Sequence, residues 1–329
     1  MTTIKAIAEE AGVSIATVSR ALNNHPSVNA DTRLAILQVA ERLNYPLDTI
    51  QNKQRVGRSV LIIVRQDKVS LEKRDLENNI WNGVQVALEN TTIATRVQQS
   101  RMTLEEAQQY VSDMSISGLV ILGGVVNHDF AGYLIENNMP FVVAGARLHG
   151  LSANAVMADV PYGMQQIGEH LIQRGRRHIG FVNGPDDTMT SEEKLNALRY
   201  TLFSHQINFP DAHIVASDFS AESGYQQTQQ LLERVSGLDA IIFADDTIAL
   251  GGIRALRERG VAIPDDMAVT GFGDYELARF ITPALTTVSF DMRQMGRIAA
   301  RRLKMLLDEP DDDHWLIRIP TELVIRDSS

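Results

Sequence analysis

Cysteine is absent from the 329 residues, which rules out a disulfide framework and any cysteine-ligated zinc site. Long apolar runs are missing too: no segment approaches the roughly 18 consecutive apolar residues that span a bilayer. Charges at Lys5, Glu9 and Glu10 leave no apolar core for a secretory signal, so a cytoplasmic protein is expected. Phosphate-cradling loops are lacking as well. Gly123-Gly124, Gly251-Gly252 and Gly271-Phe272-Gly273 follow apolar runs, but none makes G-x-G-x-x-G or GK[ST]. They read as tight strand-to-helix turns. No Ser or Cys sits in a nucleophile elbow that His178 would serve. Asp245-Asp246 is explained by a helix cap at Asp246 as readily as by a metal or general-base pair. Asp311-Asp312-Asp313 lacks the downstream ligands of a calcium loop and reads as a solvated loop. No catalytic constellation emerges, and neither a cofactor nor a metal is implied.

What is present points to a multi-domain globular chain. Its length exceeds what one core supports, and 44% hydrophobic with 22% charged residues is ordinary composition. The formal charge of −10 is unevenly spread. Residues 1–58 hold seven Lys/Arg against five Asp/Glu, so the acid lies in the remainder. A mildly basic head on an acidic body is compatible with nucleic-acid contact by the head alone, and two heads would serve better than one.

The head has the clearest local pattern. Thr3 is placed to cap a helix whose apolar face is Ile4, Ile7, Ala8 and Ala11, and Gly12 ends it. Ser14 caps a second helix that buries Ile15 or Ala16, Val18 and Leu22. Asn29 caps a third, with Leu34, Ile36, Leu37, Ala40 and Leu43 as its stripe. Two short helices joined at a Gly make a helix-turn-helix, whose second helix enters the DNA major groove. That helix leaves Ser14, Thr17, Ser19 and Arg20 polar and outward; hydroxyls suit phosphates, and Arg pairs with guanine O6 and N7. An ordinary three-helix packing unit with a solvated face is the alternative on pattern alone.

Residues 46–58 are polar and read as a linker. Beyond them Val60-Leu61-Ile62-Ile63-Val64 is a continuous apolar run, as in a strand buried on both faces of a parallel sheet. Strand and helix patterns then alternate in two series, the second starting near Val156, which predicts two doubly wound parallel lobes. The expected division is a first lobe of about 59–155 and 290–316 and a second of about 156–289 and 317–329. The last apolar stretches, near 315–319 and 322–326, are expected to return to the second lobe.

Residue identity sharpens this. TIKAIAEEAGVSIATVSRALNNHPSVNADTR, followed by AERLNY, resembles the DNA-binding head of the LacI/GalR family of bacterial regulators nearly position for position. The body resembles that family's periplasmic-binding-protein-like effector domain, most specifically in RGRRHIGFVNGP, DAIIFADDTIALGGIRALRERGVAIPDDMAVTGFGD and PALTTVSFDMRQMG. The resemblance implies a helix-turn-helix domain over 1–45, a hinge over 46–58 and an effector and dimerisation domain over 59–329. It implies a ligand-responsive regulator, in the first instance a repressor, acting on a near-palindromic operator as a homodimer, with a tetramer as a larger assembly. A freestanding small-molecule binding protein is the alternative, and it leaves the head unexplained.

The resemblance also implies site residues. Ile15 and Ala16 would touch base edges with Arg20 one turn on; Ser14, Thr17, Ser19 and Asn23 would contact phosphates or bases; Ile4, Lys5 and Tyr45 would contact the backbone. Effector positions are Gly145 or Arg147, Lys194, Asp245 and Gly273, with the ligand a sugar, sugar acid or sugar phosphate. Family members often carry acceptors where Gly145 and Gly273 stand and Arg where Lys194 stands. Arg147 and Lys194 therefore suggest an anionic effector. In the hinge, the family's wedge Leu is replaced by Gln54, and Gln51 and Asn52 replace its Ala and Arg, which implies a less ordered hinge and a smaller DNA bend.

Overall fold

The computed structural model describes residues 3–22, 28–43, 45, 58–65, 73–113, 115–123 and 126–329. Asn23, Gln51, Asn52 and Gln54 lie outside them.

The head is three helices: α1 (Ile4–Ala11), α2 (Ile15–Leu22) and α3 (Ala30–Arg42). Each begins where a side chain can satisfy a free backbone N–H. Thr3 accepts from Ala6 N, Ser14 Oγ from Thr17 N at 3.0 Å, and Asn29 Oδ1 from Thr32 N at 2.7 Å. Gly12 closes α1 at φ 66°, the left-handed conformation that glycine adopts without a Cβ clash. Ile7, Val18, Ile36 and Ala40 form a buried core with Ala8, Ala21 and Leu22. Two expectations need correcting. Leu34 is 59% exposed, because it lies about 200° around α3 from Ile36 and so on the opposite face. In α2 Val18 and Leu22 are buried as expected and Ala21 joins them, whereas Ile15 is exposed and Ala16 only half-buried.

The body opens with β1 (Ser59–Arg65), α4 (Lys73–Leu88), β2 (Ala94–Ser100), α5 (Leu104–Ser112), β3 (Gly118–Leu122), α6 (His128–Glu136), β4 (Phe141–Ala144) and β5 (Asn154–Ala158). It continues with α7 (Val160–Gln173), β6 (Ile179–Asn183), α8 (Met189–Ser204), β7 (Ile214–Ala216), α9 (Ala221–Arg234), β8 (Ala240–Phe243), α10 (Asp246–Glu258) and β9 (Ala268–Thr270). The short α11 (Leu277–Phe280), β10 (Thr287–Phe290), α12 (Met292–Asp308), β11 (Leu316–Ile319) and β12 (Thr321–Val324) complete it. The first sheet is parallel in the order β11-β5-β4-β3-β1-β2, and the second in the order β7-β6-β8-β9. Strand β1 shows why its sequence is uniformly apolar. Val60 and Ile62 pack under α4 and α12, while Leu61 and Ile63 pack with Phe130 and Leu134 on the other face.

Three features depart from the sequence-based division. Strand β5, expected to open the second series, pairs with β4 in the first sheet. Strand β11, expected in the second lobe, pairs with β5 in the first. Both are apolar runs that either sheet would accept, and only pairing register distinguishes the two. Strands β10 and β12 pair antiparallel, so the second lobe is not purely parallel.

Gly251-Gly252 is not a turn but the middle of α10. A Cβ on Gly251 would overlap the Ala221 carbonyl oxygen of α9, and one on Gly252 would overlap the Phe243 ring. Glycine here lets two helix backbones touch. Gly83 and Gly296 do the same where α4 crosses α12. Among the described residues, no helix is long and apolar enough to cross a membrane.

Candidate functional site

The head presents one polar face. Helix α2 turns Val18, Ala21 and Leu22 inward, which sets Ile15 exposed and Ala16, Thr17, Ser19 and Arg20 half-buried. Ser14 and Thr17 hydroxyls lie 2.8 Å apart, so each can present a lone pair or proton outward. Lys5 is exposed beside half-buried Ile4, which packs on the head's core. Tyr45 also packs there, with its N donating to Ala40 O at 2.8 Å, and burial pushes its phenol upward from 10.0. Arg20 donates through Nη2 to Pro310 O at 3.2 Å, so its side chain rests on the body.

One cavity of the body, about 140 Å³, lies between the two sheets. It sits at the carboxyl ends of their strands, where open α/β sheets bind small molecules. Leu122, Gly123 and Gly145 reach it from the ends of β3 and β4, Ala158 from β5, Asp245 from β8, and Phe272 with Gly273 from β9. Gly145 and Gly273 turn at φ 116° and 133°, angles a side chain rarely adopts. At Gly273 an added Cβ would stand 2.8 Å from the Tyr275 ring. These two positions therefore supply space rather than a carboxylate.

Four of the five expected effector positions, Gly145, Lys194, Asp245 and Gly273, line this cavity together. Arg147 does not. Its Nε lies 3.1 Å from Glu193 of α8. Lys194 is nearly fully buried, donates to Ala244 O and stands 4.3 Å above the Phe272 ring. Burial lowers its ammonium from 10.5 to about 8, opposed by Asp245 and Asp246. Both cations behind the expectation of an anionic effector are thus already engaged.

Asp245, not Asp246, is the helix cap, accepting from Thr247 N at 2.8 Å. Burial raises its carboxyl, while Lys194, Thr247 and the Tyr275 hydroxyl pull it down. Asp246 is fully buried behind it, accepting from Thr287 Oγ1 at 2.6 Å and Tyr275 N at 2.8 Å. Desolvation lifts Asp246 to about 7. Sequence reasoning missed Glu77 of α4 and Thr190 of α8, whose buried Oγ1 has no hydrogen-bond partner and lines the cavity. It also missed Phe219, Tyr275 and Phe290 as apolar walls. Tyr275 follows directly on one of the quoted body motifs; Glu77 and Thr190 sit in helix patterns with no local mark.

Comparison with known proteins agrees with both halves. Residues 3–46 match the model of bacterial regulatory proteins of the lacI family, and residues 169–329 match the periplasmic-binding-protein-like domain. The probable HTH-type transcriptional repressor ExuR of Bacillus subtilis is 27% identical, with 100% of this chain and 98% of that protein covered. Among solved structures, a transcriptional regulator CelR–cellobiose complex aligns at TM-score 0.78 and 27% identity over 100% of both chains. The lac repressor dimer bound to operator and the anti-inducer ONPF aligns at TM-score 0.73 and 25% identity, covering 99% of this chain and 98% of that one. The head match favours a DNA-binding regulator over a freestanding binding protein. The chain carries the DNA-binding domain of the lacI family of bacterial regulatory proteins, followed by a periplasmic-binding-protein-like domain.

Proposed function

We propose that the chain is a ligand-responsive, sequence-specific transcriptional regulator, a repressor of carbohydrate or related catabolic genes that binds a near-palindromic operator as a homodimer. The observation that carries this is the pairing of two sites in one chain. A helix-turn-helix leaves Ile15 exposed with Thr17 and Arg20 half-buried on its polar face, and a cavity lies between the two parallel sheets of the body. Residues 1–45 form the head, 46–58 the hinge and 59–329 the effector and dimerisation domain. Operator contact falls to Ser14, Ile15, Ala16, Thr17, Ser19, Arg20 and Asn23, with Ile4, Lys5 and Tyr45 on the backbone and Gln54 at the hinge. The protein works in the cytoplasm, by binding rather than catalysis. The effector is a sugar or sugar derivative held near Lys194, Asp245 and Thr190, and lobe closure over it alters the spacing of the paired heads.

To reach guanine, Arg20 exchanges its single bond to Pro310 O for a bidentate pair. Losing that pair costs about 1–3 kcal/mol per half-site, and twice that in a dimer. On an operator obtained by binding selection, Arg20→Ala is expected to weaken gel-shift affinity roughly 30-fold or more at fixed salt. Affinity within about twofold of the parent would refute the assignment of the recognition helix.

A further inference from the structure

Five of the six residues from 308 to 313 are acidic, and Arg20 of the head meets the one that is not. Half-buried on α2, Arg20 donates from Nη2 to the Pro310 carbonyl oxygen at 3.2 Å. Arg58, the residue before β1, bonds Asp308 at the start of the same run, as does Lys304 from one turn back on α12. Arg302 fastens the loop from beneath through Asp311, the Asp313 carbonyl oxygen and Asn154 of β5. Glu309, Asp312 and Asp313 remain exposed around Pro310.

Resting on the reading of α2 as the recognition helix, we propose that this acidic loop is an autoinhibitory dock for the chain's own head. A recognition helix reads bases only by entering a major groove about 12 Å wide, which a helix resting on the body cannot do. Nor can the Arg20 guanidinium keep Pro310 O while forking onto guanine O6 and N7. The acids around that carbonyl give the arginine the negative field that phosphates give it on DNA, and the mildly basic head rests against the densest acidic run of the chain. Docking lowers the fraction of heads competent to bind, and apparent affinity falls by that fraction on every DNA sequence alike. A dimer must free two heads, so the factor enters twice. Pro310 O offers one hydrogen bond, whereas an operator offers a bidentate base contact and phosphates besides, so DNA displaces the dock.

The test uses the full chain with a thiol introduced by Gln38→Cys, at an exposed position of α3 that becomes its only cysteine. A dye on that thiol reports, by time-resolved anisotropy without DNA, whether the head turns with the body. Glu309→Gln, Asp312→Asn and Asp313→Asn are combined in one variant, which leaves Asp308, Asp311 and the Asp313 carbonyl to their partners. A melting curve checks its fold. The parent head is expected to turn with the body, and the variant to gain a faster component. Gel shift at fixed salt follows the selected operator and a duplex of random sequence, and both affinities are expected to rise about tenfold. A faster component already present in the parent, or none gained in the variant, overturns the proposal. So does a released head without tighter binding, or a rise on only one of the two DNAs. Tighter binding with the head still turning with the body would reveal simple repulsion of DNA by the loop, and overturns it too. A further measurement needs no loop variant: rising salt screens a contact held by charge and is expected to release the parent head. A head indifferent to salt overturns the proposal. The anisotropy and the random duplex report on the dock even where selection yields no operator, so failure of the sequence-specific reading is distinguishable from failure here.

Discussion

Arg302 offers a sharp test of how the first lobe is held together. It lies on α12 with 2% of its side chain exposed, yet it carries a full charge. Nε donates to Asn154 Oδ1 at 2.7 Å, Nη1 and Nη2 to the two Asp311 oxygens at 2.8 and 2.5 Å, and Nη2 also to Asp313 O at 2.7 Å. The Trp315 ring covers the guanidinium at 4.3 Å. One side chain thus fastens the loop after α12 to β5 and delivers β11 to its edge of the sheet. The acidic loop is therefore not simply solvated, as its composition suggests. Removing one partner of a buried pair costs about 3–5 kcal/mol. Here Arg302→Ala belongs near the lower figure, because Asp311 is a third exposed and water can solvate it once released. Asp311→Asn leaves the guanidinium its bonds to Asn154 and Asp313 O, and is expected to cost about 1.5–3 kcal/mol. The assay is urea unfolding followed by tryptophan fluorescence. Both tryptophans, Trp81 and Trp315, belong to the first lobe, so the signal reports the lobe in question. The Arg302 hydrogen bonds hold the Asp311 carboxyl below its usual 3.8. A depressed acid contributes stability above its unfolded value and loses it as pH falls through the folded one. The gap between wild type and Asp311→Asn should therefore close below about pH 4. A loss under about 1 kcal/mol for Arg302→Ala, or a gap that does not narrow in acid, would refute this account.

Two further outcomes follow from other parts of the body. Gly251→Ala forces a methyl into the Ala221 carbonyl oxygen, where backbone cannot yield easily, and is expected to destabilise the second lobe by about 1–3 kcal/mol in urea unfolding. Asp246, raised from 3.8 to about 7 by burial, takes up a proton on folding between those values, so its contribution makes stability fall as pH rises from about 4 to 7. Asp246→Asn should flatten that slope, seen as a melting temperature that falls less than wild type across the same range.

Much of the head was legible because its determinants are local. Thr3, Ser14 and Asn29 each bond a backbone N–H three residues on, and Gly12 ends α1 by its own φ. Such features depend on a few neighbouring residues, and a sequence displays them directly. Leu34 failed for an equally local reason: an apolar residue off the stripe looks like one on it until the helical angle is counted. Strand positions in the body were legible as apolar runs, but their partners were not. Residues 316–319 carry no mark of whether β5 or β10 receives them; that depends on Arg302 fixing the preceding loop, an interaction between residues nine apart and a third at position 154.

The site divides along the same line. Gly145, Asp245 and Gly273 line the cavity just beyond strand ends, and it was the family resemblance, not strand periodicity, that singled them out. What such a resemblance cannot show is which charges are free. Arg147 and Lys194 read as two cations awaiting an anion because the sequence separates them from their partners by long stretches: Arg147 from Glu193, Lys194 from Ala244 and Phe272. In the fold Arg147 faces Glu193 and Lys194 is bonded to Ala244 O beneath the cavity wall, so neither stands as a free cation. A charged side chain's meaning is set by what opposes it in space. Effector chemistry is therefore the last property of such a chain to be readable from sequence, after fold, cleft and even the identity of the lining positions.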